Sequence, residues 1–369
     1  MRLPFFILFL NNKRKDIKVE TIEKPVLNRN KIIKGLIISL LIGITAFLLI
    51  FFLTIDENTV ISIKDMEKEF LLLAAAAIFL SVFIEGLRIQ VVAGAVGERI
   101  AFWESVKIFY ISSFLGGITP YFSGTIPGQV FLFQQQGISI AKGILIATIR
   151  PIMKSIIFLI ITPLLFFYFQ DSLQEYEVLS WLLLIIAIGF SIIVILAFVL
   201  VVSNPQKVES LLIRLKDISF LSNFFQRPTI QKILEGIISQ VRVLQESYHL
   251  LLNHPREIIL AFFYTFLYWF CYFSVAPLLL LGLETQLDFA LVIALQVLIF
   301  FLLPFLPTPG GSGAAEVGFA SLFSFFVPAH LLGIYVGGWR LFTFYLNMLI
   351  GALLSLNLLK DWIVKKDDS

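Results

Sequence analysis

Residues 119–124 read TPYFSG and residues 308–313 read TPGGSG, and each stretch cuts an apolar run in two. Proline removes a backbone donor, and glycine lets the backbone turn where other residues cannot. Thr119, Pro120 and Gly124 therefore mark one helix break, and Thr308, Pro309, Gly310, Gly311 and Gly313 mark another. Inside a membrane an unpaired backbone group cannot face lipid, so a broken helix persists only where protein buries the break or a wet cavity takes it. A matched pair of breaks in two halves of a chain is the sequence sign of a transport site in a repeat-built transporter.

The surrounding composition puts both breaks at membrane depth. Of 369 residues, 59% are hydrophobic and 14% charged, against about 45–50% and about 25% in soluble domains. Mean hydropathy is +0.93. Several runs exceed the ~20 apolar residues that cross a hydrocarbon core. The chain is expected to be an all-α polytopic membrane protein, and a soluble enzyme is excluded. Its single cysteine, Cys271, lies in an apolar run and leaves no intramolecular disulfide. Residues 1–10 read as an interfacial anchor rather than a cleaved signal, because the basic cluster Lys13, Arg14, Lys15 follows the apolar part and no small-residue cleavage site is present.

Basic residues in the flanking loops set the orientation. Residues 1–35 hold nine Lys or Arg against three acids, which places the N-terminus in the cytoplasm. Span one (about 36–54) runs outward to an acidic loop at 55–69, and span two (about 70–91) returns. Residues 103–136 fold as a hairpin about the first break. Span three (about 152–169) leads to the acidic stretch 171–177, and 179–202 comes back inward. Residues 203–256, with seven basic side chains, are thereby cytoplasmic. Within them Ile230, Ile233, Leu234, Ile237, Val241, Leu244 and Tyr248 recur at helical spacing, which gives an amphipathic helix for the membrane surface or the bundle. Residues 258–281 run outward, 291–306 descend to the second break, 314–326 climb back, and 332–359 run inward to Lys360, Lys365 and Lys366.

The expected architecture is about six full transmembrane helices plus two re-entrant hairpins that open to opposite sides, an inverted repeat. It comprises a basic cytoplasmic segment (1–35), one transmembrane domain (36–360) that contains the amphipathic segment 203–256, and a cytoplasmic tail (361–369). Both termini are cytoplasmic, in a multi-pass protein of the cytoplasmic membrane.

Ionisable residues in membrane helices are costly and so are candidates for function. Glu85 and Arg88 stand three apart on span two and share a face. As a plain structural pair they neutralise each other near the cytoplasmic end, with Arg88 reaching to the interface. Arg150 and Lys154, four apart at the start of span three, form a basic patch beside the first hairpin that can grip a lipid phosphate. Ordinary flanking charge explains Lys154 as well. Glu316 lies in the first turn after the second break, where the helix dipole favours a carboxylate. It can contact a cationic head group or pair with Arg340. The break also turns backbone N–H groups toward any phosphate. Ser123 and Ser312 suit a helix cap or a head-group contact.

The 39 phenylalanines are read as packing or lipid-facing residues. No Gly-x-x-x-x-Gly-Lys-Ser/Thr loop is present, which excludes ATP hydrolysis by that route. His249, His254 and His330 lack metal spacing. Neither a metal nor a cofactor is expected, and nucleic acid is not an expected partner.

The residues around the breaks also carry a resemblance. Residues 306–319 (LPTPGGSGAAEVGF), followed by GWRLFTFYLNMLIGALL at 338–354, closely resemble the membrane domain of the lysylphosphatidylglycerol synthase family, also called flippase-like. Residues 115–144 (LGGITPYFSGTIPGQVFLFQQQGISIAKGI) resemble the first block of that family, and the likeness extends over roughly residues 35–360. It implies that Arg88, Glu316 and Arg340 are family positions. Gln129 stands where many members carry an acid after glycine, so no carboxylate is implied there. Members are implicated in translocating modified phospholipids, and some are fused to a soluble aminoacyl transferase domain. That domain has no counterpart in this sequence, so synthase activity is not expected to follow the name.

Together these readings imply a lipid translocator. A polar head group, on a phospholipid or a polyprenyl-linked lipid, would cross in a wet groove between the hairpins. Arg88, Arg150, Glu316, Arg340, Ser123 and Ser312 would bind it, with Glu85, Lys154 and Gln129 as secondary candidates. Two other classes stay open: the membrane half of a phosphatidylglycerol lysyltransferase, and a non-transporting partner of a separate lipid-modifying or glycan synthesis enzyme.

Overall fold

The computed structural model describes residues 57–169, 177–203, 248–285, 288–303 and 306–367, with Thr45 and Phe52 as isolated positions. The basic segment 1–35, span one, the acidic stretch after span three and most of the segment 203–256 lie outside the described residues. In chain order the helices are α1 (Glu57–Asp65), α2 (Lys68–Ala95), α3 (Phe102–Gly117), α4 (Thr125–Gln135), α5 (Ile140–Tyr168) and α6 (Glu177–Ser203). After the undescribed stretch come α7 (Pro255–Gly282), α8 (Phe289–Leu302), α9 (Ala314–Phe323), α10 (Ala329–Arg340) and α11 (Leu346–Asp367). A π-helical turn at Leu341–Tyr345 joins the last two.

Among the described residues α2, α5, α7 and the continuous helix Ala329–Leu358 are long and apolar enough to cross a membrane. Helices of 28 to 30 residues measure about 42–45 Å, against a hydrocarbon core of about 30 Å. Their outward faces are apolar, with Leu72, Phe79, Leu164 and Ile259 all exposed, whereas Glu85, Arg88, Glu316 and Arg340 are buried. Lipid as solvent demands this inversion, since it accepts leucine and rejects ions. The chain is an all-α polytopic membrane protein. The most extensive helix packing joins α2 to α7, while α3 lies against α11 and α5 against α6.

Two boundaries differ from expectation. Residues 57–65, read as part of an external loop, form α1, whose Thr59 hydroxyl donates to the His330 carbonyl at the start of α10 (2.9 Å). Span three begins at Ile140 rather than near Ile152, and Pro151 sits inside the helix instead of at its start. Membrane helices tolerate such prolines where neighbours satisfy the freed backbone groups. Arg150 and Lys154 thus become the eleventh and fifteenth of 29 residues, in the middle of the span.

The same rule operates on α7. Pro277 lies inside that helix and cannot donate to the carbonyl four residues before it, which belongs to Phe273. Gln296 of α8, wholly buried, donates its Nε2 to that carbonyl at 2.8 Å. Gln296→Leu should cost ~1–3 kcal/mol, the penalty for a buried acceptor left bare. It would appear as a lower apparent melting temperature of the detergent-solubilised protein. An unchanged melting temperature would show that another donor serves Phe273.

Short helices flank both breaks. α3 and α4 have 16 and 11 residues, and α8 and α9 have 14 and 10. At ~1.5 Å per residue none reaches across a core of ~30 Å. The breaks meet each other: Pro120 and Pro309 form an isolated antiparallel bridge, and the Tyr121 N–H donates to the Leu306 carbonyl (3.3 Å). At the first break Tyr121 and Phe122 hold φ of 57° and 53°, a left-handed conformation uncommon for side-chain-bearing residues. At the second, glycines take the same region, with Gly310 at 61° and Gly311 at 66°. A Cβ on Gly310 would press into the Phe344 ring and approach the Gly117 carbonyl oxygen to 2.9 Å. Only glycine fits where the two bends cross.

Candidate functional site

Beside the paired breaks lies a cavity of about 420 Å³, with Arg88, Arg150, Lys154 and Arg340 among its lining residues. Each cation arrives from a different turn of helix and is held by a different arrangement. The charges cluster in two groups, one on α2 and α5 and one at the second break.

In the first group Glu85 and Arg88 share a face of α2, and an Arg88 terminal nitrogen pairs with Glu85 Oε2. The other terminal nitrogen of Arg88 donates to the Thr265 hydroxyl on α7 (3.0 Å). Arg150 of α5 places its Nε 2.6 Å from Glu85 Oε1. One carboxylate, fully buried, therefore serves two guanidinium groups. The expected self-neutralising pair is a triad, and Arg88 does not reach to an interface. It is 2% exposed and lies over the Tyr268 ring at 5.4 Å.

Lys154, one turn beyond Arg150, is not flanking charge. Its ammonium rests 5.2 Å from the Trp269 ring centre and 5.4 Å from that of Phe158. No carboxylate among the described residues pairs with it. Charge at the centre of a membrane helix costs about 2.5–3.5 kcal/mol per residue on insertion scales, and a cation over an aromatic face regains about 0.5–2 kcal/mol. The rings offset part of that cost.

In the second group the break itself supplies the geometry. Gly313, at φ 84°, is the N-cap of α9, and its N–H donates to Glu316 Oε2 (2.7 Å). This is one arm of a capping box. Glu316 Oε1 accepts from Arg340 Nε at 2.8 Å and from the Tyr345 hydroxyl at 3.3 Å. Of the two roles open to Glu316, it takes the pairing with Arg340. Arg340 also donates to the Gly310 carbonyl (3.2 Å) and stacks on Phe344 (4.3 Å). A single guanidinium thus ties the carbonyl side of the break to the start of the next helix. The π turn that follows Arg340 is anchored by Tyr272, whose hydroxyl donates to the Thr343 carbonyl (3.1 Å).

The remaining expected residues divide. Gln129 lines the cavity, is 1% exposed and has no partner for its Nε2 among the described residues. Ser123 and Ser312 do not line it, and neither occupies a helix N-cap, which Gly124 and Gly313 take. The capping expected of the serines falls to other side chains. At the first break Thr119 Oγ1 accepts from the Gly124 N–H (2.8 Å) while donating to the Leu115 carbonyl (2.9 Å). Glu85 and Glu316 stand behind the cations rather than on the cavity wall.

The aromatic lining was not anticipated. Phe109 lies under Arg150 at 5.6 Å and Phe344 under Arg340, so these phenylalanines are more than packing. The visible signal was the aromatic run 264–273 on α7, where Tyr268, Trp269 and Tyr272 all reach the cavity wall.

Helices with an apolar exterior, wrapped about a cationic cavity, define an integral membrane protein organised around an internal polar site. The chain belongs to the family described as the lysylphosphatidylglycerol synthase TM region, which matches residues 32–351. It is also similar to a UPF0104 membrane protein from Archaeoglobus fulgidus, with 27% identity over an alignment of 340 residues, which covers 89% of this chain and 98% of that protein.

Proposed function

We propose that this protein moves a lipid with an anionic head group between the leaflets of the cytoplasmic membrane. The observation that carries the reading is the placement of four cations on one cavity directly beside the contact between two helix breaks. The pairs α3–α4 and α8–α9 then act as re-entrant hairpins from opposite faces, in the inverted arrangement that supports alternating access. Their limbs are too short to cross, and their tips touch, as such hairpins require. Both chain termini lie in the cytoplasm on this reading.

A phospholipid or polyprenyl-linked head group would bind among Arg88, Arg150, Lys154 and Arg340 while its acyl chains remain in hydrocarbon. Glu85 and Glu316 position the cations and do not touch the lipid. Movement is downhill or coupled to an ion, since no nucleotide-binding loop of the Gly-Lys-Ser/Thr type occurs in the sequence.

Purified protein reconstituted into liposomes should accelerate exchange of a labelled phospholipid or polyprenyl phosphate between leaflets. Exchange no faster than in protein-free liposomes, across a panel of such lipids, would remove the proposal. Appearance of lysylphosphatidylglycerol in cells that express this chain alone would point instead to the transferase.

A further inference from the structure

We infer that the cavity selects a head group with two negative charges, a phosphomonoester or a diphosphate, over monoanionic phosphodiesters and over lipids whose head groups bear amines. The inference rests on the reading of this cavity as the ligand site and names the ligand's chemistry.

Charge balance is the first support. Four cations line the cavity, and among the described residues the only carboxylates paired with them are Glu85 and Glu316. Two positive charges are left without a partner among the described residues. The surplus is not spread evenly. Arg340 has Glu316 to itself, whereas Arg88 and Arg150 share Glu85 and Lys154 has no carboxylate among the described residues. A phosphodiester brings one negative charge, a lysyl ester adds positive charge, and a phosphomonoester brings about −1.5 to −2 at neutral pH. Only the last class fills the deficit.

Donor geometry is the second. Arg150 engages Glu85 through Nε, which leaves its two terminal nitrogens with no acceptor among the described residues. Such a planar fork matches phosphate oxygens in a bidentate manner. Lys154 follows four residues later on the same helix face, and the unpartnered Gln129 amide, 99% buried, opens on the same cavity.

The third support weighs against amines. Ring faces recognise ammonium groups, but here the protein's own cations already occupy four of those on the wall: Arg88 on Tyr268, Arg150 on Phe109, Lys154 on Trp269, Arg340 on Phe344. Both carboxylates are also engaged. The groups best suited to a lysyl ammonium, the two carboxylates and four of the wall rings, are therefore already taken.

The test is titration of the full-length protein in detergent, read by tryptophan fluorescence and by thermal shift. The probes are farnesyl diphosphate, dodecyl phosphate, phosphatidylglycerol, lysylphosphatidylglycerol and inorganic pyrophosphate. Farnesyl diphosphate and dodecyl phosphate should bind at least about tenfold more tightly than phosphatidylglycerol, with lysylphosphatidylglycerol weakest. Lys154→Gln should weaken the dianionic probes about tenfold and phosphatidylglycerol by about twofold or less, and Lys154→Arg should restore the preference.

Pyrophosphate binding about tenfold weaker than farnesyl diphosphate would identify a lipid-borne dianion. Equal binding would keep the dianion and make its source soluble. Phosphatidylglycerol or lysylphosphatidylglycerol binding as tightly as farnesyl diphosphate would overturn the inference. So would equal weakening of every probe by Lys154→Gln in a monodisperse protein. The translocator reading fails separately: selective binding without leaflet exchange removes translocation alone, and rapid exchange of all lipids without preference removes selectivity alone.

Discussion

Glu85→Gln should destabilise the protein by about 3–5 kcal/mol, the usual penalty when one member of a buried ion pair is removed. The carboxylate is fully buried between Arg88 and Arg150, so its replacement by a neutral amide leaves two guanidinium groups with no negative charge between them. Arg88, held by Thr265 and 2% exposed, has no other carboxylate among the described residues to turn to. The double variant Glu85→Gln, Arg150→Gln removes one charge of each sign and should recover a large part of the loss. Apparent melting temperatures of the four proteins in one detergent form a double-mutant cycle. Losses that simply add would show that Glu85 and Arg150 do not interact.

Gly310→Val should cost about 3 kcal/mol or more and abolish leaflet exchange. Its φ of 61° is a conformation that a β-branched residue occupies only under strain, of order 1–3 kcal/mol. The new side chain would also drive into Phe344, and overpacking typically costs about 1–3 kcal/mol. Phe344 carries Arg340 on its face, so the displacement reaches the second charge group directly. Gly318→Ala provides the contrast. It sits within α9 with open space around its Cα, and alanine there should gain up to about 1 kcal/mol. Equal behaviour of the two variants in melting and exchange would mean that the crossing of the bends has no special tightness.

Much of the fold was legible because its decisive signals are local. Proline and glycine in an apolar run announce a break whatever surrounds them, and Glu316 and Arg340 stand out because ions in membrane helices are rare. Their partnership, 24 residues apart at 2.8 Å, follows from few alternatives being within reach. The position of Lys154 was not legible. Arg150 and Pro151 look like the basic flank and first turn of a span, yet the helix starts earlier at Ile140, and this shift turns flanking charge into cavity wall.

Nor could the phenylalanines of the lining be read, since a phenylalanine contributes the same hydropathy whether it faces lipid or carries a guanidinium. Pro277 was visible in the sequence, but its rescue by Gln296 links residues 19 positions apart through the packing of α7 on α8. The serines of the repeated pattern misled because Thr119 and Glu316 reach the backbone donors that a cap would satisfy.

Where Pro120 faces Pro309, neither residue has an N–H to give, so this junction has no ladder to unzip. Across it the Tyr121 N–H donates to the Leu306 carbonyl, a bond worth about 0.5–1.5 kcal/mol. The two bends are seated as in a press-stud, held in register by shape with Phe344 closed over Gly310, while the packing of α2 on α7 carries the larger union of the two halves.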